Sequence, residues 1–291
     1  AMAAPESPGC EPATPSAMMS RAVDAMLDHS SGFDVVMVCC SSALQASYWQ
    51  GRLESARGSI MPENALVLCV EEDWPGGAGN ALGTLYAFKK SCALARERTS
   101  FDLLAKLAQG DISVALYHTA GKGTRLAPLP GAENNNKPGV KLPATIPIDD
   151  RHVPMTILEA VIRQTSVYAS SRKGRLSVFW GDQVFIPSAA TEYSPQYHVD
   201  ILCSLGPMLS EDMWTAKGME KYGLIAVAED GNAAQVEKVS HATANQLLRS
   251  MGKIDEVGVS MGSFSVSCVM LQTLLSEFAP ELREKKGKLD A

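Results

Sequence analysis

The chain has 291 residues, of which 46% are hydrophobic and 20% are charged, and its net charge at pH 7 is −6. This composition is typical of a globular protein with material for one large domain or two modest ones. The acidic balance and the lack of an Arg-rich tract argue against nucleic-acid binding. No apolar run reaches the roughly 18 residues that a membrane-spanning helix needs, so membrane insertion is not expected.

The termini and the cysteines define the expected boundaries and compartment. Residues 1–20 are rich in Pro, Ala and Ser and are expected to form a flexible tail, which leaves residues 21–291 as one domain. Seven cysteines are scattered without a C-x-x-C pair, which favours a reducing compartment, cytoplasmic or alternatively plastid. The first and last residues show no obvious start or finish, so a larger polypeptide or assembly, with the domain truncated at its C-terminal end, is an open alternative.

Apolar strands and amphipathic helices alternate along the chain. Continuous apolar runs are typical of buried parallel strands, and Asp230-Gly231 within 222–240 is a hairpin signal. The pattern predicts an α/β fold with a Rossmann-like, mixed, mostly parallel sheet flanked by helices and one local antiparallel addition. The strands are predicted at 33–40, 65–70, 112–117, 176–180, 198–206 and 257–267, and the main helices at about 21–29, 43–57, 84–96, 99–109, 156–169, 242–251 and 269–278.

A glycine turn after the strand at 112–117 suggests a phosphate site. Glycines let backbone N–H groups approach an anion closely, because no Cβ stands in the way. Between His118 and Lys141 there are four Lys/Arg and one Glu, a cationic stretch in an acidic chain. This favours a small anionic ligand. The residues of the turn are Gly121, Lys122, Gly123, Thr124 and Arg125, and the lysines that follow are Lys137 and Lys141.

The segment A-G-K-G-T-R-L-x-P-L (120–129), followed by Lys-Pro, resembles the signature of sugar-nucleotide pyrophosphorylases, nucleotidyltransferases of the GT-A-like fold. It departs from the family pattern at Ala120 and in a longer gap before the lysine, so either Lys137 or Lys141 matches the family lysine. The resemblance implies that Arg125 holds pyrophosphate and Lys137 lies near the α-phosphate. It also implies nucleotide contacts from Gly121, Lys122, Gly123 and Thr124.

Three shorter motifs follow in the family's order. Gly181-Asp182 at a strand end resembles the family's G-D, which implies that Asp182 binds a catalytic Mg²⁺. Tyr222-Gly223 resembles its Y-G, and Glu237-Lys238 resembles its E-K pair. The resemblance therefore implies that Gly223, Glu237 and Lys238 bind the sugar and its phosphate.

A second glycine loop, 76–83, precedes the signature. Its spacing is close to the dinucleotide fingerprint but has one residue too many, so an NAD(P)-binding oxidoreductase is a weaker alternative. GNALGTLYAF (79–88) resembles a stretch of fucose-1-phosphate guanylyltransferases, a branch that we group with UDP-sugar pyrophosphorylase-like enzymes. This resemblance implies that Gly77 and Gly79 contact the nucleotide.

The expected function is a Mg²⁺-dependent nucleotidyltransferase that joins an NTP and a sugar-1-phosphate, giving an NDP-sugar and pyrophosphate. The family's second metal-binding Asp has no counterpart after 257–267, so a catalytically silent subunit with a binding or assembly role is the alternative. The acidic run Glu71-Glu72-Asp73 is expected to be solvated, with a metal-ligand role as the alternative. For His118 both packing and phosphate contact are open.

Overall fold

The computed structural model describes residues 14–119, 136–184 and 193–289. The chain divides into two compact units. The first runs to His198 and resumes at Ser267, and the second is Val199–Val266.

The first unit contains a parallel sheet between helices. The strands of this unit are β1 (Val35–Cys40), β2 (Leu66–Glu71), β3 (Val114–His118), β4 (Lys141–Ile148), β5 (Arg151–Thr156) and β6 (Arg175–Trp180), of which β4 and β5 form a separate hairpin. Its helices are α1 (Pro15–Leu27), α2 (Ala43–Ser55), α3 (Gly79–Thr99), α4 (Leu103–Ala108), α5 (Ile157–Thr165), α8 (Cys268–Glu277) and α9 (Ala279–Glu284). The helix α1 begins at Pro15, inside the segment that the composition assigned to a tail.

The parallel strands run in the order β2-β1-β3-β6. Every residue of β1 and β3 is buried, which explains why both read as unbroken apolar runs. The chain moves from β1 outward to β2 and then back past β1 to β3. Because such crossovers are right-handed, α2 and α3 lie on opposite faces of the sheet.

The outer edge of β2 is covered by side chains. The Gln50 amide in α2 donates from Nε2 to the Val67 carbonyl at 2.8 Å and accepts at Oε1 from the Cys69 N–H at 2.8 Å. These are the two bonds that a neighbouring parallel strand would make. Lys90 Nζ donates to the Glu71 carbonyl at 2.9 Å. This edge therefore offers few free backbone groups to another chain.

The antiparallel hairpin β4–β5 is a difference from the sequence prediction. Its two-residue turn is Asp149-Asp150, with φ of +47° and +61°. Both residues adopt the left-handed conformation that a type I′ turn needs, although Asn-Gly is the usual signal there. Prolines within both strands further hide the strand pattern.

The second unit is antiparallel, with strand order β9-β8-β10-β7. Its elements are β7 (Val199–Pro207), α6 (Glu211–Ala216), β8 (Gly223–Ala228), β9 (Ala233–Glu237), α7 (His241–Leu248) and β10 (Ile254–Ser267). The Asp230-Gly231 hairpin is confirmed, with Gly231 at φ +83°. Trp214, Leu224 and Val236 belong to the apolar core of this unit.

An α/β fold with a mixed sheet flanked by helices is therefore confirmed. The expectation of a single antiparallel addition is wrong, because β4–β5 and the strands of the second unit are also antiparallel. Among the helices that the structure describes, none is both long and apolar enough to cross a membrane.

Candidate functional site

The parallel sheet has a topological switch point between β1 and β3. The strand after β1 in sequence, β2, lies toward one edge of the sheet. Beyond β3 the chain adds β6 toward the opposite edge. Ligands of open α/β sheets bind outside the carboxyl ends of the strands at such a point. Thr119, directly after β3, ties the two strand ends together, since its N–H and its hydroxyl donate to the Cys39 carbonyl at 2.9 and 2.8 Å.

His118 is a packed histidine. Its Nε2 lies 2.8 Å from the Thr84 hydroxyl oxygen, which itself lies 2.7 Å from the Asn80 carbonyl. The hydroxyl has one hydrogen and the carbonyl can only accept, so Thr84 donates to the Asn80 carbonyl. Thr84 therefore accepts from His118 Nε2, which carries the single hydrogen of the neutral ring. Burial lowers the pKa of His118 to about 4. The imidazole is therefore neutral at pH 7, and it joins the end of β3 to the first turns of α3.

Gly181 is required by close packing at the end of β6. Its N–H donates to the His118 carbonyl at 2.9 Å. A Cβ at this position would lie 3.0 Å from Thr119 Cγ2 and 3.1 Å from Leu158 Cδ1. Glycine therefore lets β6 end close against β3, and Asp182 follows directly beyond this contact.

The structure brings Lys137 and Asp182 together. Lys137 Nζ lies 3.1 Å from Asp182 Oδ2, although 45 residues separate them, and both side chains are 36% exposed. A 3-10 turn, Lys137–Gly139, positions the lysine, and the Val140 carbonyl accepts from the Ile157 N–H at the start of α5. An ion pair with this exposure stabilises a protein by about 0–1 kcal/mol, so both groups can exchange partners at little cost.

Asp182 fits the requirements of a Mg²⁺ ligand in one respect. Mg²⁺ usually takes one or two protein carboxylates and completes its shell with water and substrate phosphates. Asp182 offers one half-exposed carboxylate at the end of a strand. Within 14–119, 136–184 and 193–289 no three His, Cys, Asp or Glu side chains form a metal-binding group.

The signature turn itself lies outside the described residues. Five predicted nucleotide and pyrophosphate contacts belong to it: Gly121, Lys122, Gly123, Thr124 and Arg125. Their roles stay predictions. The described parts on either side, Thr119 and Lys137, both lie at the carboxyl edge of the sheet.

The second glycine loop is bonded internally. Gly76, Gly77 and Gly79 have φ of +77°, +82° and +77°, so the loop needs residues without a Cβ. The Gly77 N–H donates to the Trp74 carbonyl at 3.0 Å. The Ala78 N–H donates to Glu72 Oε1 at 2.9 Å. The nucleotide role of Gly77 and Gly79 stays a prediction, and the glycines have a structural reason to be there.

Two of the three residues in the acidic run are bonded to other parts of the first unit, while Asp73 stays exposed as expected. Glu72 accepts from the loop backbone, as described. Asp73 accepts from the Tyr86 hydroxyl at 2.6 Å and from Lys90 at 2.7 Å, and it pairs with Lys285. Burial opposes ionisation of Asp73, but these hydrogen bonds outweigh it and hold the pKa of the carboxyl well below its usual range.

The predicted sugar-binding residues meet in the second unit. Gly223 of β8 pairs in register with Glu237 of β9, and a Cβ on Gly223 would overlap the Glu237 carboxylate. Lys238 Nζ donates to Glu237 Oε1 at 2.5 Å. Lys238 has a φ of +50°, an unfavourable conformation for a lysine, and its N–H donates to the Tyr222 carbonyl at 3.0 Å. Strained residues of this kind are concentrated at functional sites.

Sequence reasoning missed Thr84 and Thr119, which fix the carboxyl edge of the parallel sheet. Their partners, His118 and Cys39, are 34 and 80 residues away in the chain. A single threonine gives no signal of such a distant contact. The sequence offered only the indirect indication that Thr84 belongs to the GNALGTLYAF stretch.

Comparison of the chain with protein-family models, with curated proteins and with solved structures gave no match. The functional interpretation therefore depends on the sequence motifs and on the geometry of the described residues. Of these, the contact between Lys137 and Asp182 carries the most weight.

Proposed function

We propose that the protein is a sugar-1-phosphate nucleotidyltransferase, and the observation that carries this proposal is the Lys137–Asp182 pair. Two motifs that the resemblance assigned to one reaction, Lys-Pro and Gly-Asp, lie 45 residues apart in sequence and meet at 3.1 Å. They meet just beyond the carboxyl end of β6, which is the edge where ligands of such sheets bind. The strand order β2-β1-β3-β6 gives the switch point at which open α/β sheets bind ligands.

In the proposed reaction a phosphate oxygen of the sugar-1-phosphate attacks the α-phosphorus of an NTP. A new P–O bond forms, the bond between the α- and β-phosphates breaks, and pyrophosphate leaves with that electron pair. The attacking oxygen is already anionic, so no general base has to remove a proton. Repulsion between two polyanions is the main obstacle, and catalysis depends on alignment and positive charge.

The residues of the first unit suit this task. The Asp182 carboxylate would hold Mg²⁺, which when bound neutralises phosphate charge and aligns the phosphates. The Lys137 ammonium would then leave Asp182 and lie near the α-phosphate. His118 is neutral at pH 7 and already donates to Thr84, so it serves to hold the strand end rather than to transfer a proton.

The remaining assignments belong to the same proposal. Arg125 would hold the leaving pyrophosphate through its planar fork of donors, and the turn around Gly121 and Gly123 would cradle the nucleotide. Glu237 and Lys238 would bind the sugar and its phosphate. Lys238 donates to the Glu237 carboxylate, which lies against the backbone of Gly223. This contact supports a shared role for the three residues.

A pyrophosphate-release assay tests the proposal. The protein is incubated with Mg²⁺, a panel of NTPs and a panel of sugar-1-phosphates, and the wild type is expected to turn over one combination. Asp182→Asn is expected to abolish turnover. Asp111→Asn is the matched control, because Asp111 forms a 3.0 Å ion pair with Lys106 that is also solvent-exposed but belongs to neither motif.

The outcomes separate the two sequence-based alternatives. Full activity of Asp182→Asn would refute the assignment of Asp182 as the metal ligand. NTP or NDP-sugar binding by the wild type, without turnover of any combination, would instead support the catalytically silent subunit. Thermal-shift measurements with the same nucleotides detect that binding, because a ligand of the native state raises apparent stability.

A further inference from the structure

Residues 285–289, which follow α9, lie across the second glycine loop, and we call them the clasp. The Trp74 indole N–H donates to the Gly287 carbonyl at 3.0 Å. The Leu289 N–H donates to the Ala78 carbonyl at 2.9 Å. The clasp backbone thus bonds to the Trp74 side chain, just before the loop, and to the Ala78 backbone within it, although more than 200 residues separate the clasp from both in sequence.

The clasp also completes the first turn of α3. The Leu289 carbonyl accepts from the N–H groups of Ala81 and Leu82 at 3.1 and 3.4 Å. The Ala81 N–H has no partner within the helix, because the first four N–H groups, counted from the N-cap residue Ala78, lack one. The N-cap residue Ala78 has no side-chain acceptor for the Ala81 N–H, so the Leu289 carbonyl takes that role.

A charged and aromatic cluster fixes the clasp in position. Lys285 pairs with the Asp73 carboxylate, which also binds Tyr86 and Lys90. The ammonium groups of Lys285 and Lys90 each lie 5.5 Å from the centre of the Tyr86 ring, and Trp74 meets that ring edge-on at 5.4 Å. The cluster therefore joins the clasp, the loop and α3.

The first turns of α3 connect the clasp to the candidate site. Asn80 and Thr84 lie in these turns, and Thr84 binds both the Asn80 carbonyl and the His118 imidazole. His118 ends β3, and the signature turn follows it in sequence. A continuous series of hydrogen bonds thus runs from Leu289 through α3 to the strand end at His118.

We propose that the clasp is a positioning element for nucleotide binding, with Lys285 and Trp74 as its positioning residues. When docked, it fixes the first turn of α3 and therefore the Thr84–His118 contact at the strand end that precedes the signature turn in sequence. This inference rests on the proposed function for its effect on nucleotide affinity. Its structural part, control of the first turn of α3, stands independently of any ligand.

Hydrogen exchange tests the structural part on the full chain. Lys285→Ala is expected to speed exchange of the Ala81 and Leu82 amides about two- to five-fold, the effect of losing one half-exposed ion pair. Trp74→Phe removes one neutral hydrogen bond and is expected to speed it by about two- to ten-fold. Lys285→Arg should restore slow exchange. Lys286→Ala is the matched control, because Lys286 pairs only with the adjacent helix residue Glu284 among the described contacts.

Nucleotide affinity tests the positioning part. The dissociation constant of the Mg²⁺ complex of the preferred NTP is measured by calorimetry for the same four variants. It should rise about two- to five-fold in Lys285→Ala, recover in Lys285→Arg and stay unchanged in Lys286→Ala. A merely structural clasp would change exchange without changing this affinity.

Each result supports or overturns a distinct statement. Unchanged exchange in both Lys285→Ala and Trp74→Phe overturns the clasp itself. Faster exchange with unchanged NTP affinity overturns its positioning role. A wild type that binds no NTP overturns the proposed function and the positioning role together, and the exchange data then show whether the clasp controls α3.

Discussion

Two ion pairs of the first unit, Arg52–Glu159 and Lys137–Asp182, use their carboxylates differently. Glu159 is fully buried, and its oxygens accept from Arg52 Nε and Nη2 at 2.6 and 3.1 Å. The same carboxylate accepts from the Thr156 N–H and hydroxyl at 2.7 and 2.9 Å, which caps α5. Asp182 is 36% exposed and has one 3.1 Å ion pair within the described ranges.

The carboxylate of Glu159 therefore serves the structure, whereas the carboxylate of Asp182 is accessible to a ligand. Glu159 makes four hydrogen bonds without contact with water, so a ligand could reach it only by breaking the start of α5. Asp182 can exchange its lysine for another partner while the strand end stays in place, as the proposed function requires. The sequence shows the Thr156-x-x-Glu159 capping-box pattern, but it does not show that Glu159 is buried with Arg52 or that Asp182 is exposed.

The largest expected effect tests this contrast directly. Glu159→Gln should lower the free energy of unfolding by about 3–5 kcal/mol, because it leaves Arg52 without its buried partner. Asp182→Asn makes the same chemical change and should cost no more than about 1 kcal/mol. Urea unfolding followed by circular dichroism measures both, and equal losses would contradict the contrast.

The buried, uncharged His118 makes the free energy of unfolding depend on pH, which adds a third kind of ionisable group to the comparison. Its pKa is about 4 in the folded protein, below the ordinary value of 6.5. Above pH 6.5 the imidazole is neutral in both states, and stability is full. As the pH falls from 6.5 to 4, the unfolded chain gains the proton first, and about 3 kcal/mol of stability is lost.

His118→Gln keeps an N–H donor for Thr84 and removes the titrating group. The difference in unfolding free energy between the wild type and this variant should therefore shrink by about 3 kcal/mol from pH 7 to pH 4. The pKa of His29 is also lowered, chiefly by burial, and its contribution cancels in the difference. A difference independent of pH would show that His118 is not buried in its neutral form.

The smallest expected effect concerns the support beneath Asp182. Gly181→Ala places a methyl group about 3 Å from Thr119 and Leu158, and overpacking of this kind costs about 1–3 kcal/mol. Gly51→Ala is the matched control, because nothing lies within 4 Å of its added Cβ and the residue is inside α2. It should stabilise by up to about 1 kcal/mol. Thermal unfolding compares the two, and equal shifts would refute the packing argument.

The parallel strands could be predicted because their signal is local. Residues such as Val36 and Leu116 are buried on both faces, so the apolar run is continuous. The hairpin β4–β5 could not be predicted, because Asp149 and Asp150 adopt a left-handed turn conformation that an Asp-Asp pair does not normally indicate. The start of α3 at Gly79 was also missed, because the stabilising partner of its first turn is the distant Leu289.

For the site, the sequence named the groups and the structure showed which of them meet. The motifs left Lys137 and Lys141 as equal matches to the family lysine. Within the proposed function the contact with Asp182 favours Lys137, while Lys141 begins β4. The partners of Glu72 and Asp73 depend on the path of loop and clasp, and short motifs carry no information on such paths.

Gln50 shows how strongly distant positions restrict one another in this chain. Its amide must donate to Val67 and accept from Cys69 at the spacing of a parallel strand. Glutamate has no donor at neutral pH, methionine offers neither bond, and asparagine is one methylene shorter. Gln50 Nε2 also donates to Glu54 of its own helix at 2.7 Å. The substitutions that position 50 tolerates are therefore set by the backbone of β2 as well as by α2.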